Sequence, residues 1–192
     1  MAGAKVGVIA LQGATKPHLG ALLELGAHPV EVRTPQDLAG VDAVVIPGGE
    51  STTMSFLLDS SGLREPLQDR LQNGMAAFGT CAGMILLANE VLDGRDDQRS
   101  LNAIDITVRR NGFGRQRDSF EADLVVEDIS GGPFHAVFIR APVVERVGQN
   151  VEVLARVEGS PVVCQSGPIT VCSFHPELSD DLRLHEKFLE DL

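Results

Sequence analysis

The chain has 192 residues, 43% hydrophobic and 22% charged, which favours one globular domain spanning residues 1–192 with a substantial core. Its net charge of -11 disfavours contact with phosphate backbones, so we expect no nucleic-acid partner. No apolar run approaches the roughly 20 residues that span a bilayer, and residues 1–5 lack a signal-peptide pattern. We therefore expect no membrane partner and a cytoplasmic location.

The first half of the chain alternates short apolar runs with segments of helical periodicity. Strands are predicted at residues 6–11, 29–32, 43–46 and 76–78. Helices are predicted around Leu19, Leu22 and Leu23, after the glycine-rich residues 47–49, over residues 63–71 and over residues 84–88. Short apolar strands separated by helices indicate a parallel sheet.

The second half is predicted to be richer in strands. A polar stretch, residues 93–119, is expected to form loops around one strand at residues 103–108. Further strands are predicted at residues 136–139, 151–157, 161–164 and 169–173. A closing helix is predicted at residues 181–189. No internal repeat or linker interrupts this pattern.

Cys81 is the candidate nucleophile. The run Gly79-Thr80-Cys81-Ala82-Gly83 has the G-x-nucleophile-x-G form of a nucleophile elbow, in which small neighbours allow a tight strand-to-helix turn. A helix N-terminus after the cysteine would favour the thiolate and offer the backbone N–H of Ala82 to an oxyanion. The alternative is a small buried cysteine without a chemical role. The three cysteines lack metal-ligand spacing, so neither a metal site nor a disulfide framework is predicted.

A cysteine nucleophile needs a base, and the chain offers five histidines. His175 follows a predicted strand, and Glu177 is placed to orient its imidazole if the Pro176 segment is extended. A surface histidine beside a solvated glutamate is the alternative.

The run from Pro47 to Thr53 follows a predicted strand and contains two adjacent glycines. Because glycine allows close backbone approach, the backbone N–H of Gly49 is a candidate second oxyanion donor. A phosphate-binding loop is disfavoured because the Lys-Ser/Thr of a P-loop is missing. A plain turn with a Ser or Thr helix cap is the other reading.

Arginines are the candidate partners for a substrate carboxylate, because guanidinium binds carboxylate through two hydrogen bonds. Arg110 and Arg115 lie in the polar stretch. Arg140 follows an apolar strand, and parallel-sheet proteins place ligand sites at such strand ends. The residues alone leave the choice among these three open.

Together, these residues resemble class I glutamine amidotransferases and, more closely, the glutaminase subunits of pyridoxal 5′-phosphate synthases. The resemblance runs nearly end to end. The segments that carry it are Ala10-Leu11-Gln12-Gly13, Pro47-Gly48-Gly49-Glu50-Ser51-Thr52-Thr53, Phe78-Gly79-Thr80-Cys81-Ala82-Gly83, Phe113-Gly114-Arg115-Gln116, Asp118-Ser119-Phe120-Glu121, Phe138-Ile139-Arg140-Ala141-Pro142 and Ser173-Phe174-His175-Pro176-Glu177-Leu178.

The resemblance implies an α/β fold, a three-layer sandwich around a mostly parallel sheet, with Cys81, His175 and Glu177 as the triad. It implies a glutamine site formed by Gly49, Glu50, Ser51, Arg110, Ile139 and Arg140. It further implies that Cys81 forms a glutamyl thioester and that the released ammonia passes to a synthase subunit within a large hetero-oligomer. Pyridoxal 5′-phosphate is then a product of the complex, and no cofactor is expected in this chain.

The resemblance also implies that the free subunit is weakly active until its partner docks, with the loop at Gln12 responding. The chain departs from the family pattern at Thr15-Lys16-Pro17-His18, where the family has Arg-Glu-His, and at Cys164-Gln165-Ser166-Gly167, where a cation is lost. The sequence leaves two other functions open: that of a peptidase-like or deglycase-like relative of the same fold, and that of a catalytically weak regulatory subunit.

Overall fold

A central seven-stranded sheet organises the chain in a computed structural model, which describes residues 3–110, 112 and 119–192. The strands, in chain order, are β1 (Lys5–Ile9), β2 (His28–Val32), β3 (Ala43–Ile46), β4 (Ala76–Thr80), β5 (Ala88–Val91), β6 (Ile104–Arg109), β7 (Ser119–Leu124), β8 (Phe134–Ile139), β9 (Val143–Val147), β10 (Glu152–Val157), β11 (Ser160–Ser166) and β12 (Ile169–Cys172). The helices are α1 (Thr15–Glu24), α2 (Pro35–Ala39), α3 (Ser51–Ser60), α4 (Arg64–Gln72), α5 (Ala82–Leu87) and α6 (Arg183–Glu190).

The seven strands lie in the order β10-β11-β12-β4-β3-β1-β2. The five strands from β12 to β2 run parallel, whereas β10 and β11 complete the sheet in antiparallel pairs. The prediction of a mostly parallel sheet is confirmed. Every residue of β3 and β4 is buried, as expected for strands covered on both faces.

Helices cover both faces of this sheet and make three layers. On one face, buried residues of α2 to α5 pack together, among them Leu38, Met54, Leu67 and Leu86. On the other face, Leu22 of α1 and Phe188 of α6 pack with Phe138 of β8. No helix in the described ranges has the length and apolarity that crossing a bilayer requires.

Two small sheets lie beside the main one, and parts of them were not predicted. One has the order β5-β6-β9, and the other is the antiparallel pair β7-β8. Ala88 is the last residue of a predicted helix, and residues 89–91 have no predicted structure. In the structure, residues 88–91 form a strand that pairs with β6. Strands β7 and β9 and the short helix α2 were also missed. Residues 119–124 alternate in exposure because the hairpin covers the core with one face only.

Candidate active site

Cys81 lies at the corner between β4 and α5, as the elbow pattern predicts. Its backbone φ is 48°, a left-handed conformation that is unusual for a residue with a side chain. Such strain persists only where the surroundings impose it, and it is typical of functional sites. A Cβ added to Gly83 would lie 2.0 Å from the carbonyl oxygen of Ile46, and one added to Gly79 would lie 2.6 Å from Leu87 Cδ1. The two glycines therefore let the helix pack tightly against the sheet behind the nucleophile.

His175 is held beside Cys81 by backbone contacts with the β7-β8 hairpin. Its backbone N–H donates to the carbonyl oxygen of Val137 in β8 at 2.9 Å. A Cβ added to Gly48 would lie 2.4 Å from His175 Cε1 and 3.4 Å from Cys81 Cβ, so the loop at Gly48 contacts both side chains. The thiol and the imidazole thus meet over this loop, although 94 positions of sequence separate them.

Glu177 orients the imidazole of His175. The two side chains are joined by a 2.8 Å contact between His175 Nδ1 and Glu177 Oε1. The expected extended conformation at Pro176 is wrong, since Pro176–Leu178 forms one 3₁₀ turn. The turn brings the carboxylate back towards the ring, and φ of -109° and ψ of 84° at His175 provide the change of direction.

The electrostatics of this group favour a protonated imidazole. Burial by itself lowers the pKa of His175, but hydrogen bonds to Cys81 and Glu177 outweigh burial and raise the pKa to about 10. An imidazolium beside the sulfur stabilises a thiolate, which is the reactive form of cysteine. By contrast, burial raises the pKa of Cys164 to about 12 and, more strongly, that of Cys172, which favours the inert thiol at both positions.

A cleft of about 400 Å³ opens over the sulfur. The predicted site residues that line it are Gly49, Glu50, Ser51, Cys81, Arg110, Ile139, Arg140 and His175. Glu177 lies behind His175 and is buried, and Ala82 is the buried first residue of α5. The structure therefore brings together ten of the eleven residues singled out from the sequence. Arg115 and its segment Gly114-Arg115-Gln116 lie outside the described residues.

Glu50 and Arg110 form the polar wall of the cleft. Glu50 is the N-cap of α3, where its carboxylate accepts hydrogen bonds from the backbone N–H groups of Thr52 and Thr53. The alternative reading of this run, a turn with a Ser or Thr cap, is thus wrong about the cap, which is a glutamate. Partial burial by itself raises the pKa of Glu50, but hydrogen bonds from Thr53 and Thr52 outweigh it and lower the pKa to about 2. Arg110 Nη2 lies 2.9 Å from Glu50 Oε1, and its Nη1 lies 3.0 Å from Thr52 Oγ1.

Arg140 lines the cleft for a different reason from the one predicted. It follows β8, which within the described ranges pairs only with β7, in an antiparallel hairpin outside the parallel sheet. Its φ of 45° turns the chain sharply at the rim of the cleft. The preceding carbonyl, that of Ile139, lies 3.9 Å from Cys81 Sγ.

The loop at Gln12, which the resemblance marks as responsive, lies beside the site. Gln12 Oε1 accepts a hydrogen bond of 2.8 Å from the backbone N–H of Glu50, so its side chain lies against the loop of Gly49. Sequence reasoning missed two histidines, His18 and His185, which are fully buried behind Glu177. Both lie on the apolar faces of their helices, four residues before Leu22 and three before Phe188, and histidine at such positions was a signal. Among the residues that the structure describes, no cluster of three His, Cys, Asp or Glu side chains could hold a metal ion.

The sequence of this chain is similar to those of known glutamine amidotransferases. The model of the SNO glutamine amidotransferase family matches residues 8–192. The pyridoxal 5′-phosphate synthase subunit PdxT of Rhodococcus jostii (strain RHA1) is 56% identical over 192 residues, covering 96% of this chain and 95% of the relative. The PdxT subunit of Mycolicibacterium vanbaalenii is 55% identical over 195 residues, with 100% of both chains covered.

Solved structures of other proteins are also similar to this chain. A crystal structure described as a glutamine amidotransferase superposes with a TM-score of 0.91 at 49% identity, covering 97% of each chain. A structure described as a putative GMP synthase subunit from Thermoplasma acidophilum superposes with a TM-score of 0.68 at 14% identity, covering 98% of this chain and 93% of the other. The second likeness concerns the fold alone.

Proposed function

Because this chain belongs to the SNO glutamine amidotransferase family, we propose that it hydrolyses glutamine through Cys81, His175 and Glu177 and supplies the ammonia to a pyridoxal 5′-phosphate synthase. The observation that carries the proposal is the contact of 2.8 Å between His175 Nδ1 and Glu177 Oε1, at the edge of a cleft that contains the Cys81 sulfur. A nucleophile, a base and an orienting carboxylate are the parts that acyl transfer requires.

The chemistry follows from this arrangement. The Cys81 thiolate adds to the side-chain amide carbon of glutamine, and the electron pair of the carbonyl moves to its oxygen. The imidazolium of His175 gives its proton to the leaving nitrogen, ammonia departs, and a γ-glutamyl thioester remains on Cys81. His175 then removes a proton from water, which attacks the thioester and releases glutamate and the thiolate. Glu177 stabilises the imidazolium in both steps.

We assign the oxyanion contacts to the backbone N–H groups of Gly49 and Ala82. Ala82 is the first residue of α5, and the first N–H groups of a helix have no partner within the helix. Gly49 lines the cleft that opens over the Cys81 sulfur. Because the side chain of Gln12 packs against Gly49, a movement of this loop would change the second contact.

We assign the glutamine site to Gly49, Glu50, Ser51, Arg110, Ile139 and Arg140. Arg110 and Arg140 provide positive charge for the substrate carboxylate, and Glu50 provides negative charge for the α-ammonium group. The hydroxyl oxygen of Ser51 is buried and has no hydrogen-bond partner within the described ranges, as expected of a group that meets a polar ligand.

The partner is proposed from the relatives. Both PdxT proteins named above are subunits of pyridoxal 5′-phosphate synthase. We propose that this chain docks on such a synthase subunit in a large hetero-oligomer, with the Gln12 loop as the element that responds to docking.

The test is glutamate and ammonia release from L-glutamine by the purified chain, alone and with the synthase subunit from the same source. We expect release that rises with the partner and disappears in Cys81→Ala. Cys164→Ala is the matched control, since Cys164 is a buried thiol outside the cleft, and it should retain activity. Absence of release from the demonstrated complex, or full activity in Cys81→Ala, would contradict the proposal.

A further inference from the structure

A row of buried polar side chains continues behind Glu177, on the side away from Cys81. His18 Nε2 lies 3.4 Å from Glu177 Oε2, the oxygen that His175 does not contact. His18 Nδ1 in turn lies 2.9 Å from His185 Nε2. The carboxylate of Glu177 is therefore placed between two imidazoles, one from the loop after β12 and one from α1.

Packing alone does not explain these two histidines. Both are 0% exposed, and both rings contact that of Phe78, a member of the apolar cluster that includes Leu22 and Phe188. Buried polar groups in apolar surroundings cost free energy unless they form hydrogen bonds, and a leucine at either position would avoid that cost. Glu177 Oε2 has no hydrogen-bond partner of good geometry among the described residues. The polar contact that it does have is the long one with His18.

Burial settles the protonation states. It lowers the pKa of His18 well below the ordinary value, helped by the charges of His185 and His175, and it lowers the pKa of His185 to about 4. Both rings are therefore neutral near pH 7, and each carries one N–H. A carboxylate only accepts hydrogen bonds, so the N–H of His18 belongs on Nε2, facing Glu177.

The remaining contacts agree with this tautomer. With its proton on Nε2, His18 accepts through Nδ1 from the Nε2–H of His185. The other nitrogen of His185, Nδ1, is then an acceptor, and it has no partner in the described part of the chain. Thr80 Oγ1 lies 3.2 Å from His18 Nε2 and shares the same N–H, which links the ring to the residue before Cys81.

From this geometry we propose that His18 is a positioning residue for the triad: its Nε2–H holds the second oxygen of Glu177, and His185 fixes the tautomer in which that N–H is present. The inference rests on the proposed function of Cys81, His175 and Glu177. A hydrogen bond to Oε2 would fix the rotation of the Glu177 carboxylate, so that Oε1 stays directed at His175. Contacts of this kind are often long in a protein without its substrate and shorten during the reaction.

The titratable groups that face Glu177 are few. His175 contacts it from the loop after β12, and His18 contacts it from α1. Cys172 at the end of β12 is close enough for the charge of Glu177 to raise the pKa of its thiol, and it remains a neutral thiol. His185 of α6 reaches Glu177 only through His18. Removing the His18 N–H therefore leaves His175 as the one donor to Glu177 among these groups.

The experiment compares His18→Leu with His18→Gln in the complete complex with the synthase subunit. Leucine fills the space without a donor, whereas the amide of glutamine can place an N–H near the position of Nε2. We expect His18→Leu to lower kcat roughly ten- to hundredfold, the loss expected for one hydrogen bond to a charged group, with the KM for glutamine unchanged. We expect the basic limb of kcat/KM to move to lower pH, because His175 should lose its proton more easily when the carboxylate of Glu177 is not held against it. His18→Gln should recover most of kcat.

Leu22→Ala is the control for lost stability, since Leu22 lies one turn further along α1 and is fully buried. It should unfold more easily but keep the wild-type basic limb. A His18→Leu protein with kcat within twofold of wild type and an unchanged basic limb would overturn the proposal. Equal losses in His18→Leu and His18→Gln, matched by Leu22→Ala, would overturn it too. Either result would leave the triad intact as long as Cys81→Ala remained inactive.

Discussion

Arg110 Nη2 lies 2.9 Å from Glu50 Oε1, an ion pair between residues that are 60 positions apart in the chain. The same carboxylate caps α3 through Thr52 and Thr53. The pair therefore fixes the loop of Gly49 to the residue that follows β6, and it presents both charges to the cleft. In this way one contact joins the stability of a helix terminus to the shape of the proposed glutamine site.

Arg110→Lys should weaken glutamine binding. Lysine keeps the charge but lacks the planar pair of donors that holds a carboxylate, so we expect KM to rise roughly tenfold with a smaller change in kcat. Steady-state glutamate release measures both. Arg109→Lys is the matched control, because neighbouring Arg109 pairs with Glu145 and lies outside the cleft. An equal rise of KM in the control would count against the assignment of Arg110.

Glu50→Gln should destabilise the protein at neutral pH, and this loss of stability should shrink at acidic pH. The pKa of Glu50 is lowered from its ordinary value of 4.5 to about 2 in the folded protein. The stability that ionised Glu50 contributes is therefore fully present above about pH 4.5 and is lost as the pH falls through about 2. Urea unfolding followed by circular dichroism, at pH 7 and at the lowest pH where the protein stays folded, should show the gap between wild type and variant shrinking. A constant gap would contradict the prediction.

His175 should remain protonated in the resting protein to about pH 10, as its raised pKa indicates. Cys81→Ala and Glu177→Gln each remove one of the contacts that raise this pKa, so in both variants the ring should lose its proton at lower pH. Nitrogen NMR of labelled histidine gives the titration directly. The stability that this proton contributes is fully present below the ordinary pKa of 6.5 and is lost as the pH rises through about 10. If His175 of the wild type titrates at its ordinary pKa, the ion pair between His175 and Glu177 is refuted.

Gly48→Ala should disable the site without unfolding the protein. A Cβ at this position would lie 2.4 Å from His175 Cε1 and 2.9 Å from His175 Nδ1, so the imidazole must move. A displacement of about 1 Å in a catalytic group can cost roughly a hundredfold in rate, which is the loss of kcat that we expect. Gly20→Ala is the control, since a Cβ there meets no atom within 4 Å inside α1, and it should stabilise the helix by about 0.5–1 kcal/mol.

The chain should unfold as one domain, the organisation expected from its length. The two apolar clusters lie on opposite faces of the same seven-stranded sheet, so neither can open without exposing the other. We expect a single two-state transition in urea, with the circular dichroism of helices and sheet changing together. Two separated transitions would indicate that the strands outside the main sheet form an independent unit.

Local sequence patterns predicted much of the site because its key residues lie where an element begins or ends. Cys81 between two glycines, and His175 and Glu177 directly after an apolar strand, are readable from spacing, since the strand-to-helix corner is a local event. The same reasoning failed for β7 and β9. Their residues alternate or are half exposed, and they become strands only by pairing with β8 and β6.

Local sequence patterns thus predicted the candidate nucleophile and the two residues proposed to serve it. Tertiary structure alone decided the rest. It bent Pro176–Leu178 into a turn that returns Glu177 to His175, and it brought α1 and α6 together so that His18 and His185 meet behind that carboxylate. It also paired Arg110 with Glu50 across 60 positions. The physical reason is that short-range propensity governs turns and caps, whereas contacts between buried polar groups depend on which elements the sheet brings together.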